Sequence, residues 1–407
     1  MNDFERVCVV GLGYIGLPTA SLLATKGFRV LGVDISPEVV DTINAGDIHI
    51  REPELDVLVR SAVQSGQLSA ATEPAPADVF IIAVPTPFKD DYVPDLRYVE
   101  DAAHTVAPHL KPGNLVILES TSPVGTTNHV AELIAKARPD LGAGDIHIAH
   151  CPERVLPGQI LQELVANDRI VGGIDEGSTE AAARFYRLFV SGSVFTTSAR
   201  TAELTKLVEN TYRDVNIAFA NELSVICDKL DIDVWELIDM ANHHPRVNIL
   251  KPGPGVGGHC LAVDPWFIVD SVPEAARLIR TAREVNESKP QFVIDRILAR
   301  ARRIKNPVIG CFGLAYKADI DDLRESPALR IVERLAEEAT GRILVVEPYI
   351  SELPGSLQRR NVTLVDQKKA LADSDVIVGL VDHQPFKQIR PADLVEKIVL
   401  DVRGIWR

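Results

Sequence analysis

The sequence predicts an α/β chain in three parts: an N-terminal domain of alternating strands and helices over residues 1–198, a central all-helical domain over 199–300, and a smaller alternating domain over 301–407. Three observations predict it. The first third alternates short β-branched runs with amphipathic stretches, which implies βαβ units and a parallel sheet covered on both faces. Residues 202–230 then run without Gly or Pro, with Leu204, Leu207, Val208 and Tyr212 on a helical period. Alternation returns in the last third. At 407 residues the chain is also too long for one ordinary core.

Strands are expected at 6–10, 29–33, 79–84, 114–119 and 146–150, with helices between them, the first over 17–25. After the long helix a second should cover 234–241, followed by a Pro/Gly-rich loop and a helix around 275–286. In the last part, strands are expected at 308–312, 342–346, 376–381 and 398–402, with a helix at 328–338. The two outer domains could be distant structural echoes of one another.

A net charge of -14 argues against a nucleic-acid or anionic-membrane partner, so an anionic ligand must be met by a few local Arg and Lys residues. Five cysteines, Cys8, Cys151, Cys227, Cys260 and Cys311, are odd in number and show no paired spacing. That is no disulfide framework, and it points to a reducing cytoplasm. No Cys/His spacing suits zinc, so no metal is expected. The start runs from Met1 almost directly into apolar Val7-Cys8-Val9-Val10, leaving no room for a signal peptide, and no apolar run approaches the ~18 residues of a membrane span. The expectation is a soluble cytoplasmic protein.

The first predicted strand enters Gly11-Leu12-Gly13-Tyr14-Ile15-Gly16 and a helix follows. This is G-x-G-x-x-G in its strand–turn–helix context, the mark of a Rossmann domain. Its glycines allow a tight turn, close approach of backbone to a pyrophosphate, and helix–strand packing. The pyrophosphate then meets the positive end of the helix dipole. Asp34 closes the second strand, where a carboxylate accepts from ribose hydroxyls and repels a 2′-phosphate, so NAD is expected rather than NADP. Thr86 and Thr121 follow later strands at their carboxyl ends and are candidate cofactor contacts. The alternative is that their hydroxyls close local turns.

Lys206 and Asn210 stand at i and i+4 on the long helix, with Arg213 near them. An ammonium beside an amide can oppose an alkoxide or polarise a carbonyl, although the same pair also suits a solvated helix face. The segment Lys251-Pro-Gly-Pro-Gly-Val-Gly-Gly-His-Cys260 forms a loop whose backbone can approach a ligand, and Asp264 follows four residues later. Buried cysteine is usually a small hydrophobe, the reading for Cys8, Cys151, Cys227 and Cys311. Cys260 differs, since glycine-rich loops rarely serve as core packing. Close to cations, its thiol should have a depressed pKa and act as a nucleophile. His259 without ligand-spaced partners reads as a hydrogen-bonded structural residue. Arg246, in His243-His244-Pro245-Arg246, suits a phosphate or carboxylate. Lys317 and Arg324 lie in a polar loop after a strand, and Arg403 follows the final strand, all on the ligand-facing side of a second sheet.

Together these blocks resemble the UDP-glucose/GDP-mannose dehydrogenase family over essentially the whole chain: Val10-Gly-Leu-Gly-Tyr-Ile-Gly-Leu-Pro18, Glu119-Ser-Thr-Ser-Pro-Val-Gly-Thr126, Cys151-Pro-Glu-Arg154, Lys206-Leu-Val-Glu-Asn210, Gly257-Gly-His-Cys260, and Phe312-Gly-Leu-Ala-Tyr-Lys317 through Arg324-Glu-Ser-Pro327. The resemblance implies a Rossmann domain, a central helical domain and a C-terminal Rossmann-like domain that binds the UDP-sugar. It implies Cys260 as nucleophile, Lys206 and Asn210 holding the reacting oxygen, and Asp264 or Glu153 aiding water. Gly11, Gly13, Tyr14, Ile15, Gly16, Asp34, Thr86, Thr121 and Arg324 would face the cofactor. Arg154, Val155, Arg213, His244 and Gly257 would line the sugar site, Arg246 and Arg403 would hold the nucleotide sugar, and Tyr316 and Lys317 would lie near the ligands. The chemistry implied is a double oxidation at C6, through a thiohemiacetal and a thioester on Cys260. A homodimer through the central helices is implied, with Arg246 serving the neighbour.

His259-Cys260 resembles the N-acetylhexosamine branches of the family, and the runs 244–249 and 260–268 are similar to the mannosamine branch. The implied substrate is UDP-N-acetyl-D-mannosamine, with UDP-N-acetylglucosamine, UDP-glucose and GDP-mannose as alternatives. A β-hydroxyacid dehydrogenase would pair similar domains and a Lys-x-x-x-Asn helix, but needs no thiol and no third domain. A non-catalytic NAD sensor would need none of Lys206, Asn210, Cys260 and Asp264.

Overall fold

Along the first strand, Val7 and Val9 join one apolar cluster while Cys8 and Val10 join another, so this strand is covered on both faces. The computed structural model describes residues 4–50, 52–89, 92–142, 144–156, 158–258, 260–338, 341–359 and 361–407. Two compact units divide the chain, Met1–Glu209 and Asn210–Arg407.

The first unit holds β1 (Arg6–Val10), β2 (Arg29–Val33), β3 (Leu68–Ala71), β4 (Val79–Ile82), β5 (Leu115–Leu118), β6 (His147–His150), β7 (Arg169–Gly173) and β8 (Val194–Ser198). They form one sheet in the order β3-β2-β1-β4-β5-β6-β7-β8. Helices α1 (Gly16–Thr25), α2 (Pro37–Asn44), α3 (Leu55–Gln64), α6 (Ile160–Ala166) and α7 (Glu176–Tyr186) fill one face; α4 (Arg97–Val106) and α5 (Thr126–Ala137) fill the other. The sheet departs from the expected all-parallel form at one seam. Strand β6 pairs antiparallel with β7, so β7 and β8 run against the rest.

The long helix is α8 (Ala199–Leu230), followed by α9 (Val234–Asn242), α10 (Asp264–Ser271) and α11 (Arg277–Ala301). Helix α11 continues well past the expected end near 286, through Pro290. Strands β9 (Val308–Phe312), β10 (Arg342–Val346), β11 (Val362–Leu364), β12 (Val376–Gly379) and β13 (Ile398–Asp401) alternate with α12 (Pro327–Glu338) and α13 (Gln367–Asp373). Their sheet order, β11-β10-β9-β12-β13, repeats the order β3-β2-β1-β4-β5 of the first unit.

The echo extends to the turns. Gly11 follows β1 at φ 94° and Gly313 follows β9 at φ 99°, a left-handed region open to glycine. A Cβ on Gly11 would stand 2.6 Å from the Ala83 carbonyl oxygen, and one on Gly313 would stand 2.4 Å from the Val381 Cβ. Asp34 after β2 accepts from the Leu12 N–H, as Glu347 after β10 accepts from the N–H groups of Leu314 and Ala315. Both sheets therefore reverse strand order where a ligand groove belongs. Among the described residues no helix is long and apolar enough to cross a membrane.

Candidate active site

The three glycines of the first turn have three separate reasons to lack a side chain. Gly11 needs its positive φ and its closeness to Ala83. A Cβ on Gly16 would lie 1.7 Å from the Gly11 carbonyl oxygen, so α1 can meet β1 only without one. A Cβ on Gly13 would meet nothing within 4 Å. Open space above that backbone is what a pyrophosphate requires at the N-terminus of α1, where the first turn carries no acidic residue. Tyr14, exposed, and Ile15, half-buried, lead into the helix.

Asp34 is held by two backbone donors: Leu12 N–H reaches Oδ2 at 3.1 Å and Ser36 N–H reaches Oδ1 at 3.0 Å. Its oxygens keep further acceptor capacity for ribose hydroxyls. These residues fit NAD. A fixed carboxylate there should cost a 2′-phosphate ~1–3 kcal/mol, or roughly 5- to 150-fold in affinity. We expect kcat/KM to favour NAD over NADP by that order, and Asp34→Ala to narrow the gap; equal efficiency with both cofactors in the parent enzyme would remove Asp34 from this role. The hydroxyl of Thr86 donates to the Thr121 carbonyl at 2.6 Å, tying together the loops after β4 and β5. This bond joins two loops and does not close a turn of its own.

Behind these loops lies a buried charge cluster. Arg169 opens β7 and donates to Glu153 at 2.7 Å, with side chains 2% and 6% exposed. The other Glu153 oxygen accepts the Arg154 N–H at 2.6 Å. Arg154 itself spans a bidentate pair with Glu209 and donates to the Asp168 carbonyl. Val155 packs against the adjoining core. Sequence reasoning missed Arg169 and Glu119. A charged residue abutting an apolar strand core, as Glu119 follows β5, was the available signal.

Burial, and then the Glu153 carboxylate, pushes Glu119 up to about 8, while burial pushes His150 down to about 3. Their effects on stability have opposite signs. Between its ordinary 6.5 and about 3, His150 is protonated only in the unfolded chain, so stability falls as acid is added. Between its ordinary 4.5 and about 8, Glu119 is protonated only in the folded chain, so stability falls as pH rises. Each pH unit within a window is worth up to ~1.4 kcal/mol, a few degrees in Tm. Glu119→Gln should therefore raise Tm at pH 8 and change it little near pH 5. Thermal unfolding at both pH values checks this; an equal shift at both would place Glu119 ionised in the fold.

In the second unit, the carbonyl of Cys260 accepts from the N–H groups of Val263 and Asp264, so a helical turn carries the chain from Cys260 into α10. Cys260 is exposed, whereas Cys8, Cys151, Cys227 and Cys311 are buried; all five stand outside disulfides. Burial pushes the thiols of Cys8, Cys151 and Cys311 up to about 12. Asp264, 3% exposed, accepts from Asn210 Nδ2 at 2.5 Å. His259 lies outside the described residues.

The glycines before Cys260 lie close against other parts of the protein. A Cβ on Gly253 would stand 2.8 Å from an Arg403 nitrogen, on Gly255 3.0 Å from Pro327, on Gly257 2.4 Å from the Glu325 carbonyl oxygen, and on Gly258 2.9 Å from the Tyr316 ring. Residues 253–258 thus lie against protein. Arg403 reaches the Pro252 carbonyl and pairs with Asp382 at 2.9 Å. Arg324 pairs with Asp322 at 2.7 Å. His244 and Arg246 are exposed after α9, with the Arg246 N–H on His244 Nδ1, and Lys317 is exposed after β9. The side chains of Lys206, Arg213, Arg246 and Lys317 take no carboxylate partner among the described residues.

The profile of the UDP-glucose/GDP-mannose dehydrogenase family matches in three blocks: its NAD binding domain over residues 5–190, its central domain over 200–288 and its UDP binding domain over 310–407. The chain belongs to the UDP-glucose/GDP-mannose dehydrogenase family. It is an NAD-dependent nucleotide-sugar dehydrogenase of that family, as the motifs led us to expect. An NDP-N-acetyl-D-galactosaminuronic acid dehydrogenase of Ralstonia nicotianae is 59% identical, covering 99% of this chain and 97% of its own. A UDP-N-acetyl-D-mannosamine dehydrogenase of Campylobacter jejuni is 58% identical, covering 97% and 99%. A solved UDP-D-ManNAc dehydrogenase from Pyrococcus horikoshii superposes with TM-score 0.88 at 41% identity, covering 99% of this chain and 96% of that one.

Proposed function

We propose that this dehydrogenase oxidises the C6 alcohol of UDP-N-acetyl-D-mannosamine to UDP-N-acetyl-D-mannosaminuronate, consuming two NAD. The carrying observation is full-length similarity, at 58% identity, to a relative of that name. A second reading is favoured by the 59% identical relative named for an N-acetyl-D-galactosamine-derived acid: the same chemistry on a UDP-N-acetylhexosamine of another configuration. Turnover with UDP-N-acetylmannosamine, UDP-N-acetylgalactosamine, UDP-N-acetylglucosamine, UDP-glucose and GDP-mannose decides. UDP-N-acetylmannosamine should give the highest kcat/KM with two NADH per sugar; a higher value for another sugar replaces it as substrate.

When bound, NAD supplies the hydride acceptor for each of the two oxidations at C6. The residues of the chain do the rest. After the first oxidation, the Cys260 sulfur adds to the aldehyde carbon, and the carbonyl electron pair becomes an alkoxide opposed by the Lys206 ammonium and the Asn210 amide. The second oxidation leaves a thioester. Water adds to the acyl carbon, its proton passes to Asp264 or Glu153, the C–S bond breaks and the thiolate leaves.

Residues 1–198 serve the cofactor in this proposal, 199–300 the chemistry and dimerisation, and 301–407 the UDP-sugar, with Arg246, Arg403, Tyr316 and Lys317 toward it and Arg324 toward the cofactor. A homodimer through the central helices is supported by an exposed apolar stripe on α8: Tyr212, Phe219, Ile226 and Leu230. Spaced seven, seven and four apart, they fall within about 40° on one helix face.

A further inference from the structure

On the opposite side of α8 from that apolar stripe runs a row of polar groups. Asn210, Asp214 and Asn221 fall about half a turn away from Tyr212 and Phe219. Asp214 and Asn221 are fully buried, and α11 meets them with Arg283 at 2% exposure and Asn286 at 1%. An ordinary amphipathic helix buries its apolar side; this one buries these polar residues.

The buried groups form one chain of hydrogen bonds with a fixed direction. Arg283 pairs with Asp214 at 2.7 Å. Asn286 Nδ2 donates to the Asp214 side chain at 2.8 Å and to its carbonyl at 3.1 Å. Asn221 Nδ2 donates to Asn286 Oδ1 at 2.9 Å. That leaves Asn221 Oδ1 to accept the Gly253 N–H at 2.8 Å. An ionised carboxylate can only accept, so Asp214 dictates which end of the Asn286 amide faces it. Asn286 in turn dictates the Asn221 orientation, and Asn221 presents an acceptor to the loop. Every amide would have to flip together to reverse the chain.

The chain ends on the loop that carries Cys260. Gly253 lies seven residues before the thiol, and between them Gly255, Gly257 and Gly258 press against Pro327, the Glu325 carbonyl and Tyr316. A second link comes from the same turn of α11. Pro290 has no N–H for the Asn286 carbonyl, and a Cβ on Gly255 would stand 3.3 Å from that oxygen. The loop is thus pinned at 253, laid flat to 258, and delivered into the turn that starts α10.

Apolar contacts would bind α8 to α11 at no less stability, since a buried ion pair gains little net energy. The polar chain adds orientation. We propose that Asn221, Asn286, Asp214 and Arg283 are positioning residues of the dehydrogenase reaction: they fix the Gly253 end of the loop so that the Cys260 thiol emerges in one place. This rests on Cys260 being the nucleophile.

The test uses the full-length enzyme and compares Asn221→Ala, Asn221→Asp and Asn286→Leu with Asp228→Ala as control. Asp228 pairs with Arg296 across the same two helices, two turns beyond Asn221, and has no link to the loop. Four readouts are taken: kcat, KM for NAD, the rate of Cys260 alkylation by iodoacetamide, and Tm. Asn221→Ala and Asn286→Leu should lower kcat by ~10–100-fold and change the alkylation rate, with KM for NAD unchanged. Asn221→Asp keeps the acceptor for Gly253, so its kcat should exceed that of Asn221→Ala even if its Tm does not. Asp228→Ala should lower Tm and leave kcat and alkylation alone. Should kcat simply follow Tm across all four variants, the network is structural and the inference is wrong. Cys260→Ala separates the two levels. If that variant still yields two NADH per sugar, the nucleophile reading fails; if it is inactive while the asparagine variants keep parental kcat and alkylation rates, only the positioning inference fails.

Discussion

Cys260→Ala should abolish the production of two NADH per sugar while leaving the protein folded. The thiol is exposed at the mouth of a turn into α10, so its removal opens no core cavity. Without it the aldehyde has no covalent anchor, and the enzyme should carry out at most the first oxidation, or reduce added aldehyde in reverse. Cys260→Ser should be nearly as inactive, because a hydroxyl forms its anion far less readily and an ester is a poorer acyl donor than a thioester. A slowly hydrolysing sugar ester on Ser would add the acyl mass to the intact protein. Cys227→Ala is the control: that thiol is 2% exposed inside α8, and its loss should affect stability alone. Retention of the two-to-one stoichiometry by folded Cys260→Ala would mean that this cysteine only packs its loop.

The fold was legible where burial on both faces leaves a continuous apolar run. Strands β1, β2, β9 and β10 coincide with the predicted residues for that reason. Three of the missed strands stand where edge position weakens the pattern, and β7, an interior strand of only five residues ending on Gly172-Gly173, was missed as well. Strand β3 reads Leu-Ser-Ala-Ala and β11 is three residues long, and both stand at sheet edges. Strand β8 is edge too and largely exposed. Helix α10 opens on Asp264-Pro265, which reads as a turn; proline is nonetheless well tolerated in a first turn, where its N–H is not needed. Pro290 made α11 look shorter than it is, and Gly255 fits against the carbonyl that Pro290 leaves without a helical donor.

Site residues were legible where one residue type has one local reason. Gly11, Gly13 and Gly16 could be assigned by position because tight turn, open approach and close packing recur in that order. The loop before Cys260 shows the limit of such reasoning. Its glycines are also required by contacts with Arg403, Pro327 and Tyr316, all distant in sequence and so not legible locally. The α8 pattern was read only in part: of the four residues that gave the helical period Leu207 is buried, but Leu204, Val208 and Tyr212 are exposed, and the buried side includes Asp214 and Asn221. Periodicity identifies a helix; it does not say which side faces the core.

Lys206→Ala should lower kcat by ~10²–10³-fold, with a much smaller change in KM for the nucleotide sugar. The argument begins with charge. Lys206 is half-buried on α8, and its ammonium has no hydrogen-bond or ion-pair partner among the described residues. Its helix neighbour Glu209, at i+3, is committed to Arg154 instead. An uncommitted cation of this kind is available to oppose negative charge on a substrate oxygen. That charge is small in the bound alcohol and large in the alkoxide and thiohemiacetal oxyanion, so the interaction is worth most in the transition states. Losing it corresponds to ~3–4 kcal/mol of barrier. Lys206→Arg keeps the charge, but its planar fork places the donors differently, so it should recover only part of kcat. Steady-state kinetics with varied UDP-sugar, together with the amplitude and rate of the first NADH formed in a single turnover, separates the possibilities. A slowed first turnover at saturating sugar supports the electrostatic role; an intact single-turnover rate with a raised KM would assign Lys206 to holding the nucleotide sugar.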